Sequence, residues 1–422
     1  MKRVVITGLG VCAPNGIGVP EFTEALKNGK SGISHFKDLE DLKFSCQIGG
    51  MPSLSEEKLR DYFTELQLRN FKSNVIAFGV IAGMDALKDA GILVGGDKAL
   101  YDLGIIMGSG GTSATKFRES LYKIDEKKVK RLGSTAVIQI MASGVSAYLG
   151  GMTGAANMVT TNSSACATGT ESVILGYERI KAGKATQMLC GSTGEGGPYI
   201  WGGFDAMRVM SYKHNDKPGA AAGPMSDNAS GFIPGSGAGA VVLESLESAI
   251  ARGAKIYGEI VGGAINSGGQ RNGGSMTAPN SEAVQRCVKD AVKEANIDPN
   301  EIDYINGHLT ATVKDPVEIE NWCKALNRNG NDFPYINSLK GMTGHCLAAS
   351  GSIEIVSTIL QMDNNFIFPN INCDTIHPEI TKLIPEEKIP RTMVKSNINT
   401  AIKASFGFGD VNACIVFKKY KQ

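Results

Sequence analysis

Apolar positions fall into short continuous runs, separated by turns rich in Gly, Ser and Thr and by longer segments of helical period. The first run, Val4-Val5-Ile6-Thr7-Gly8-Leu9-Gly10, has the β-branched continuity of a strand buried on both faces. Similar runs predict strands around Leu103 to Met107, Asn157 to Thr161, Met188 to Gly191, Val241 to Leu243, Tyr335 to Asn337 and Ile415 to Phe417. Val173, Tyr177 and Ile180, spaced i, i+4, i+7, predict a helix that ends at Gly183. Ala283, Cys287, Val288, Ala291, Val292 and Ala295 form one face of another, with Ser281 placed to cap it. Ile353 to Met362 carries a third. This alternation predicts an α/β protein with mainly parallel sheets.

The segments Arg3 to Gly10 and Lys255 to Gly263 are both basic-led β-runs that end in glycine, and strand–helix alternation follows each. The chain therefore reads as a duplication with a boundary near residue 253, giving halves 1–253 and 254–422. No linker composition marks the boundary, so the halves are expected to pack tightly. The start, Met1-Lys2-Arg3 before an apolar run, imitates a signal peptide, but the run is short and broken by glycines. No stretch approaches the ~18 apolar residues of a spanning helix.

Charge is balanced, 43 Lys+Arg against 42 Asp+Glu, which excludes a generally basic nucleic-acid binder and an acidic tail protein. The 9 cysteines are scattered without CxxC spacing, so reduced thiols in a cytoplasmic protein are expected rather than a zinc ribbon or disulfide framework. Glycine, 52 of 422 residues, exceeds its usual share and invites a nucleotide reading. The spacing denies it. Gly108-Ser109-Gly110-Gly111 has Ser at 113, Gly29-Lys30-Ser31 has Glu24 where a P-loop needs glycine, and Gly235 to Gly239 leads into a strand. There is no G-x-S-x-G elbow and no metal-ligand spacing.

With only 5 histidines, imidazole chemistry must draw on a short list. His308 and His345 each follow a predicted strand on a turn rich in Gly and Thr, where α/β sites collect; His35, His214 and His377 lie in polar, loop-like segments. Cys166, in Thr161-Asn162-Ser163-Ser164-Ala165-Cys166-Ala167-Thr168-Gly169, stands where a strand ends and a helix begins. A helix N-terminus there is expected to lower the thiol pKa, although a lone Cys is more often a small buried hydrophobe. A reactive thiol beside two imidazoles suits acyl chemistry. The thiolate takes an acyl group as a thioester, and two N–H donors stabilise an enolate oxygen. Lys340 can hold a neighbouring group by charge, and Ser405-Phe406-Gly407-Phe408-Gly409 offers backbone N–H groups for a second oxyanion hole.

These segments, with Gly231-Phe232, Gly235 to Gly239 and Lys340-Gly341-Met342-Thr343-Gly344-His345, resemble the β-ketoacyl-acyl-carrier-protein synthases, nearest the elongating branch, over nearly the whole chain. The resemblance implies a thiolase fold of duplicated αβαβα halves with a five-layered core, usually in a dimer. It implies that Cys166 receives an acyl group from an acyl carrier protein. His308 and His345 would then bind the malonyl thioester carbonyl and assist decarboxylation, and the N–H groups of Cys166 and Phe408 would hold the tetrahedral oxyanion. Lys340 and Glu318 match supporting charged residues, and Phe408 a gating phenylalanine. No cofactor beyond the carrier's own 4′-phosphopantetheine is implied, and no metal. The partner is a second copy or a related ketosynthase-like subunit, and Arg69, Lys127, Lys128, Arg131 and Lys213 are candidates to meet the acidic carrier.

The chain departs from the family pattern at Leu309, where glycine is usual, and at Asp410, where Gly-Gly is usual. The spacer from Val313 to Glu318 is one residue short, and Gly223-Pro224-Met225-Ser226 replaces an Arg-Pro-aromatic-Asp segment. Leu309 is expected to crowd the malonyl pocket or its closing loop, which suggests a specialised synthase building a polyene or polyketide. Two alternatives stay open: a non-elongating, chain-length-factor-like partner subunit, and a thiolase using Cys414 as second cysteine.

Overall fold

The computed structural model describes residues 1–421. Ten main strands form the first half, β1 (Val4–Ala13), β2 (Leu103–Ser109), β3 (Val159–Thr160), β4 (Gln187–Gly194) and β5 (Gly237–Ser245), and the second, β6 (Gly258–Ser267), β7 (Tyr304–Asn306), β8 (Tyr335–Asn337), β9 (Thr400–Gly407) and β10 (Val411–Lys418). They lie in one sheet in the order β3-β2-β4-β5-β1-β6-β10-β9-β7-β8, with Gly16–Ile17 paired beside β1. Counted along the chain, each half has the same spatial order, first-fifth-fourth-second-third, and the same strand directions. The duplication is therefore a repeat of topology, and the two copies join through the antiparallel pair β1–β6, where Val4 faces Ile260.

The expectation of mainly parallel sheets is corrected. The pairs β1–β5, β5–β4, β6–β10, β10–β9 and β1–β6 are antiparallel, and only β4–β2, β2–β3, β9–β7 and β7–β8 are parallel. A continuous apolar run reports burial on both faces, which here comes from helices on either side of the sheet and does not specify strand direction.

Five layers result. Helix α1 (Asn74–Asp89) covers the outer face of β1, β4 and β5; α3 (Ser281–Ala295), with α4 (Asp315–Leu326) beside it, covers β6 and β10. Between the two half-sheets lie α2 (Thr168–Lys181) and α5 (Ser350–Asn364), which touch each other and strands of both halves. Separate apolar clusters fill these spaces, one around Ile81 and Leu149, one around Val288 and Trp322, and a central one that joins Val173 and Ile174 to Ile353 and Ile359.

Helix α2 stops before Gly183, which has φ 71°. The cap of α3 is Asn280 rather than Ser281; the Asn280 Oδ1 accepts the N–H groups of Glu282 and Ala283 at 2.9 and 3.3 Å, so the helix starts one residue earlier than its apolar stripe indicates. All nine cysteines are free. Among the described residues no helix is long and apolar enough to cross a membrane.

Candidate active site

Cys166 lies two residues before α2, in a turn that Ala165 enters at φ 47°. Thr168 knits the turn: its hydroxyl accepts the N–H of Ser164 at 2.8 Å and donates to the carbonyl of Ala165 at 2.6 Å. The thiol is buried, and the backbone N–H groups of Phe408 and of Cys166 itself are directed at Sγ. Burial pushes the thiol up to about 11, against the opposing pull of Lys340 and those two N–H groups. Burial therefore opposes the thiolate that the turn into α2 was expected to favour.

Both histidines reach the same buried region, their ring centroids 5.4 Å apart at an interplanar angle of 82°. Burial holds both well below the ordinary histidine pKa, aided by the charges of Lys340 and Lys403, so both rings are neutral. The Nδ1 of His345 accepts the N–H of Leu347 at 3.3 Å and lies 2.9 Å from the Ser350 Oγ. A nitrogen that accepts from a backbone donor carries no proton, so the neutral His345 ring has its proton on Nε2. The Nδ1 of His308 is buried without a partner.

The backbone around His308 is held by two buried carboxylates on the first turn of α4. Glu318 accepts the N–H groups of His308 and Leu309 at 2.7 and 2.8 Å and the Trp322 indole N–H at 3.2 Å. Burial and nearby Asp315 push Glu318 up to about 7, opposed by those donors. Asp315 accepts from Thr310, Ala311 and Thr312 and, at 2.8 Å, from Met225 of the segment whose sequence departs from the family pattern. Glu318 therefore supports the loop rather than facing the thiol. Leu309 does not behave as expected: its side chain is fully buried in the apolar cluster with Ile305, Ile319 and Trp322, because the loop held by Glu318 turns it into the core of the second half. The substitution is thus no sign of a crowded pocket.

Lys340 is buried and ion-paired to Oε1 of Glu354 on α5, and Lys403 of β9 reaches Oε2 of the same carboxylate at 2.7 Å. Sequence reading missed Glu354 and Lys403. The available signal was a charged residue inside an apolar run at each position, Ile353-Glu354-Ile355 and Ile402-Lys403-Ala404.

Phe408 stacks obliquely on Phe204 with centroids 6.0 Å apart; Phe204 meets Phe232, and Phe232 meets His345 at 5.3 Å. Phe406 lies 5.8 Å from His308. A continuous line of rings thus runs from the loop over Cys166 to the histidine pair. Arg69, Lys127, Lys128, Arg131 and Lys213 are all exposed, and Lys128 is paired with Glu126 at 2.7 Å. His35 is exposed, and His214 and His377 are half-buried, away from the pair in sequence. Cys414 lies fully buried within β10, with its thiol pKa raised well above the ordinary value by burial, so it is a core residue and not a second nucleophile. Among the described residues no three His, Cys, Asp or Glu side chains gather as a metal site.

The chain matches the β-ketoacyl synthase N-terminal domain over residues 1–249 and the C-terminal domain over residues 257–374. It is 35% identical to 3-oxoacyl-[acyl-carrier-protein] synthase 1 of Haemophilus influenzae over all of both chains. Among solved structures it is similar to the ketosynthase of a type II polyketide synthase in complex with its acyl-carrier protein and a bound hexaketide, at 30% identity and a TM-score of 0.86, with both chains fully covered. It is also similar to the ishigamide ketosynthase/chain length factor, at 25% identity and a TM-score of 0.87, again with both chains fully covered.

Proposed function

The chain belongs to the β-ketoacyl synthase family and is a condensing acyltransferase, a 3-oxoacyl-[acyl-carrier-protein] synthase of thiolase fold, and we propose that Cys166, His308 and His345 form its reaction centre. The observation that supports this reading is that the charge of Lys340 bears on the Cys166 thiol and on both neutral, buried imidazoles, which lie 5.4 Å apart, while the N–H groups of Cys166 and Phe408 reach Sγ.

In the first half-reaction Sγ attacks the thioester of an acyl group brought on the 4′-phosphopantetheine of an acyl carrier protein. The C–S bond to the carrier breaks, and the carrier thiol leaves with the proton. The N–H groups of Cys166 and Phe408 hold the oxyanion of the tetrahedral intermediate. In the second half-reaction the carbonyl of a malonyl thioester accepts from the Nε2–H of His345 and from His308. The bond to the carboxylate breaks, carbon dioxide leaves, and the enolate carbon attacks the acyl-Cys166 carbonyl. Collapse of the second tetrahedral intermediate releases the Cys166 thiolate, which is reprotonated. Neutral rings suit this role, since a donor N–H is needed without a proton to quench the carbanion.

The exposed basic residues Arg69, Lys127, Lys128, Arg131 and Lys213 are the surface we assign to the acidic carrier. The intact set of nucleophile and donors favours an elongating subunit over a non-elongating partner, working in the cytoplasm as a homodimer or beside a related ketosynthase-like chain. Residues 1–253 would carry the nucleophile and 254–422 the two histidines.

Intact-mass measurement after incubation with a panel of saturated and polyunsaturated acyl-carrier substrates should find the acyl group on Cys166, and the panel reads out the preferred chain. Cys166→Gln should retain malonyl decarboxylation without extension; His308→Ala and His345→Ala should each lose decarboxylation. Chain extension by Cys166→Gln would overturn the assignment.

A further inference from the structure

Glu354 is a buried carboxylate with two buried lysines on it, one for each oxygen. Lys340 and Glu354 alone would make a neutral pair. Lys403, with none of its surface exposed and its ammonium also donating to the Ala404 carbonyl, turns the cluster into a net cation sealed from water. Burying an excess charge is costly unless a counter-charge arrives, so a chain that keeps one has a use for it.

The cluster lies beneath the histidine pair. Glu354 is one helical turn beyond Ser350, whose hydroxyl touches His345. On β9, Lys403 faces Asn306 of β7, two residues before His308, and lies three residues before Phe406, whose ring packs on His308. The charges of Lys340 and Lys403 bear on both imidazoles. The other ionisable groups around them include Cys166, Tyr304, Glu318, Cys346 and Cys414.

We propose that Lys403 is an electrostatic positioning residue for the decarboxylating half-reaction: it leaves the Glu354 cluster one positive charge in excess, and the anionic malonyl group, followed by the enolate, is the counter-ion. The acyl group loaded on Cys166 is uncharged and has no such call on the cluster. This inference rests on the condensing reaction proposed above.

Lys403→Met makes the cluster neutral. It should raise KM for the malonyl carrier by about ten- to a hundredfold, the scale of one lost interaction with a charged group, while acyl transfer to Cys166 changes far less. The double variant Lys403→Met/Glu354→Gln has Lys340 alone and recovers the excess charge, so it should regain most of the malonyl affinity. Lys403→Arg keeps the charge and should stay nearest the unaltered enzyme. Equal losses in both half-reactions, or no recovery in the double variant, would overturn the proposal. If Lys403→Met does not fold, the double variant decides alone, because a purely structural lysine predicts that it is weak for malonyl. Failure of the unaltered enzyme to acylate Cys166 would instead sink the underlying reading.

Discussion

Gly169 and Gly351 meet where the two central helices cross. A Cβ on Gly169 would lie 2.4 Å from the backbone N of Ser352, and one on Gly351 would lie 2.6 Å from the backbone N of Thr170. Gly169 follows Cys166 by three residues and Gly351 follows His345 by six, so the crossing lies close in sequence to both the thiol and the imidazole. The hydroxyls of Ser192 and Ser352, 2.7 Å apart, lie beside it.

Alanine at Gly351 must push backbone against backbone, which flexible side chains cannot relieve. Gly351→Ala should cost at least the ~1–3 kcal/mol of an overpacked core and lower condensation further than the lost stability explains. Thermal melting together with kcat for condensation checks this; an unchanged kcat would show that the crossing does not set the site.

The raised Cys166 pKa predicts that free enzyme is a poor thiolate. Alkylation by iodoacetamide should rise about tenfold per pH unit from pH 7 toward the value near 11, since the thiolate fraction does so below the pKa. A plateau at or below pH 7 would mean a thiolate already present.

Lowered histidine pKa values carry the opposite sign: the rings lose their protons at lower pH than free histidine. Malonyl decarboxylation by Cys166→Gln should therefore stay flat from pH 8 down to pH 6 and fall only in more acid solution. A titration centred near 6.5 would show that at least one ring behaves as an exposed imidazole.

Glu318→Gln puts an amide NH₂ against N–H groups that now meet a carboxylate. The loss should be about 1.5–3 kcal/mol, the scale of hydrogen bonds to a charged group, with a lower melting temperature and a decarboxylation rate reduced together with it as the His308 loop loosens. Full activity in Glu318→Gln would mean that the His308 loop holds itself.

Asp410, at φ 62° in the turn between β9 and β10, accepts the N–H groups of Gln270 and Asn280 at 2.9 and 2.8 Å and so ties the segment 268–280 to the Phe408 loop. Asp410→Gly keeps the backbone conformation and removes both bonds. Limited trypsin digestion after Arg271 should then speed up severalfold; unchanged cleavage would show that the segment is held by other contacts.

Much is legible in the sequence alone. The β-branched run at Val4 reports a strand buried on both faces, the paired runs at Arg3 and Lys255 report the duplication, and His308 and His345 stand out because so few histidines compete with them. Each signal is local, since burial and turn geometry are written into neighbouring residues. Strand direction was not legible, because apolar continuity is the same for parallel and antiparallel partners. Nor was the fate of Leu309, whose direction is decided by Glu318, nine residues later on the first turn of α4. The upward push on the Cys166 pKa comes first from desolvation, a property of everything packed around the thiol and of no single segment near it. The cluster of Lys340, Glu354 and Lys403 joins three separate elements of the second half and exists only once they are packed together, so its net charge belongs to the fold and to no single segment of the chain.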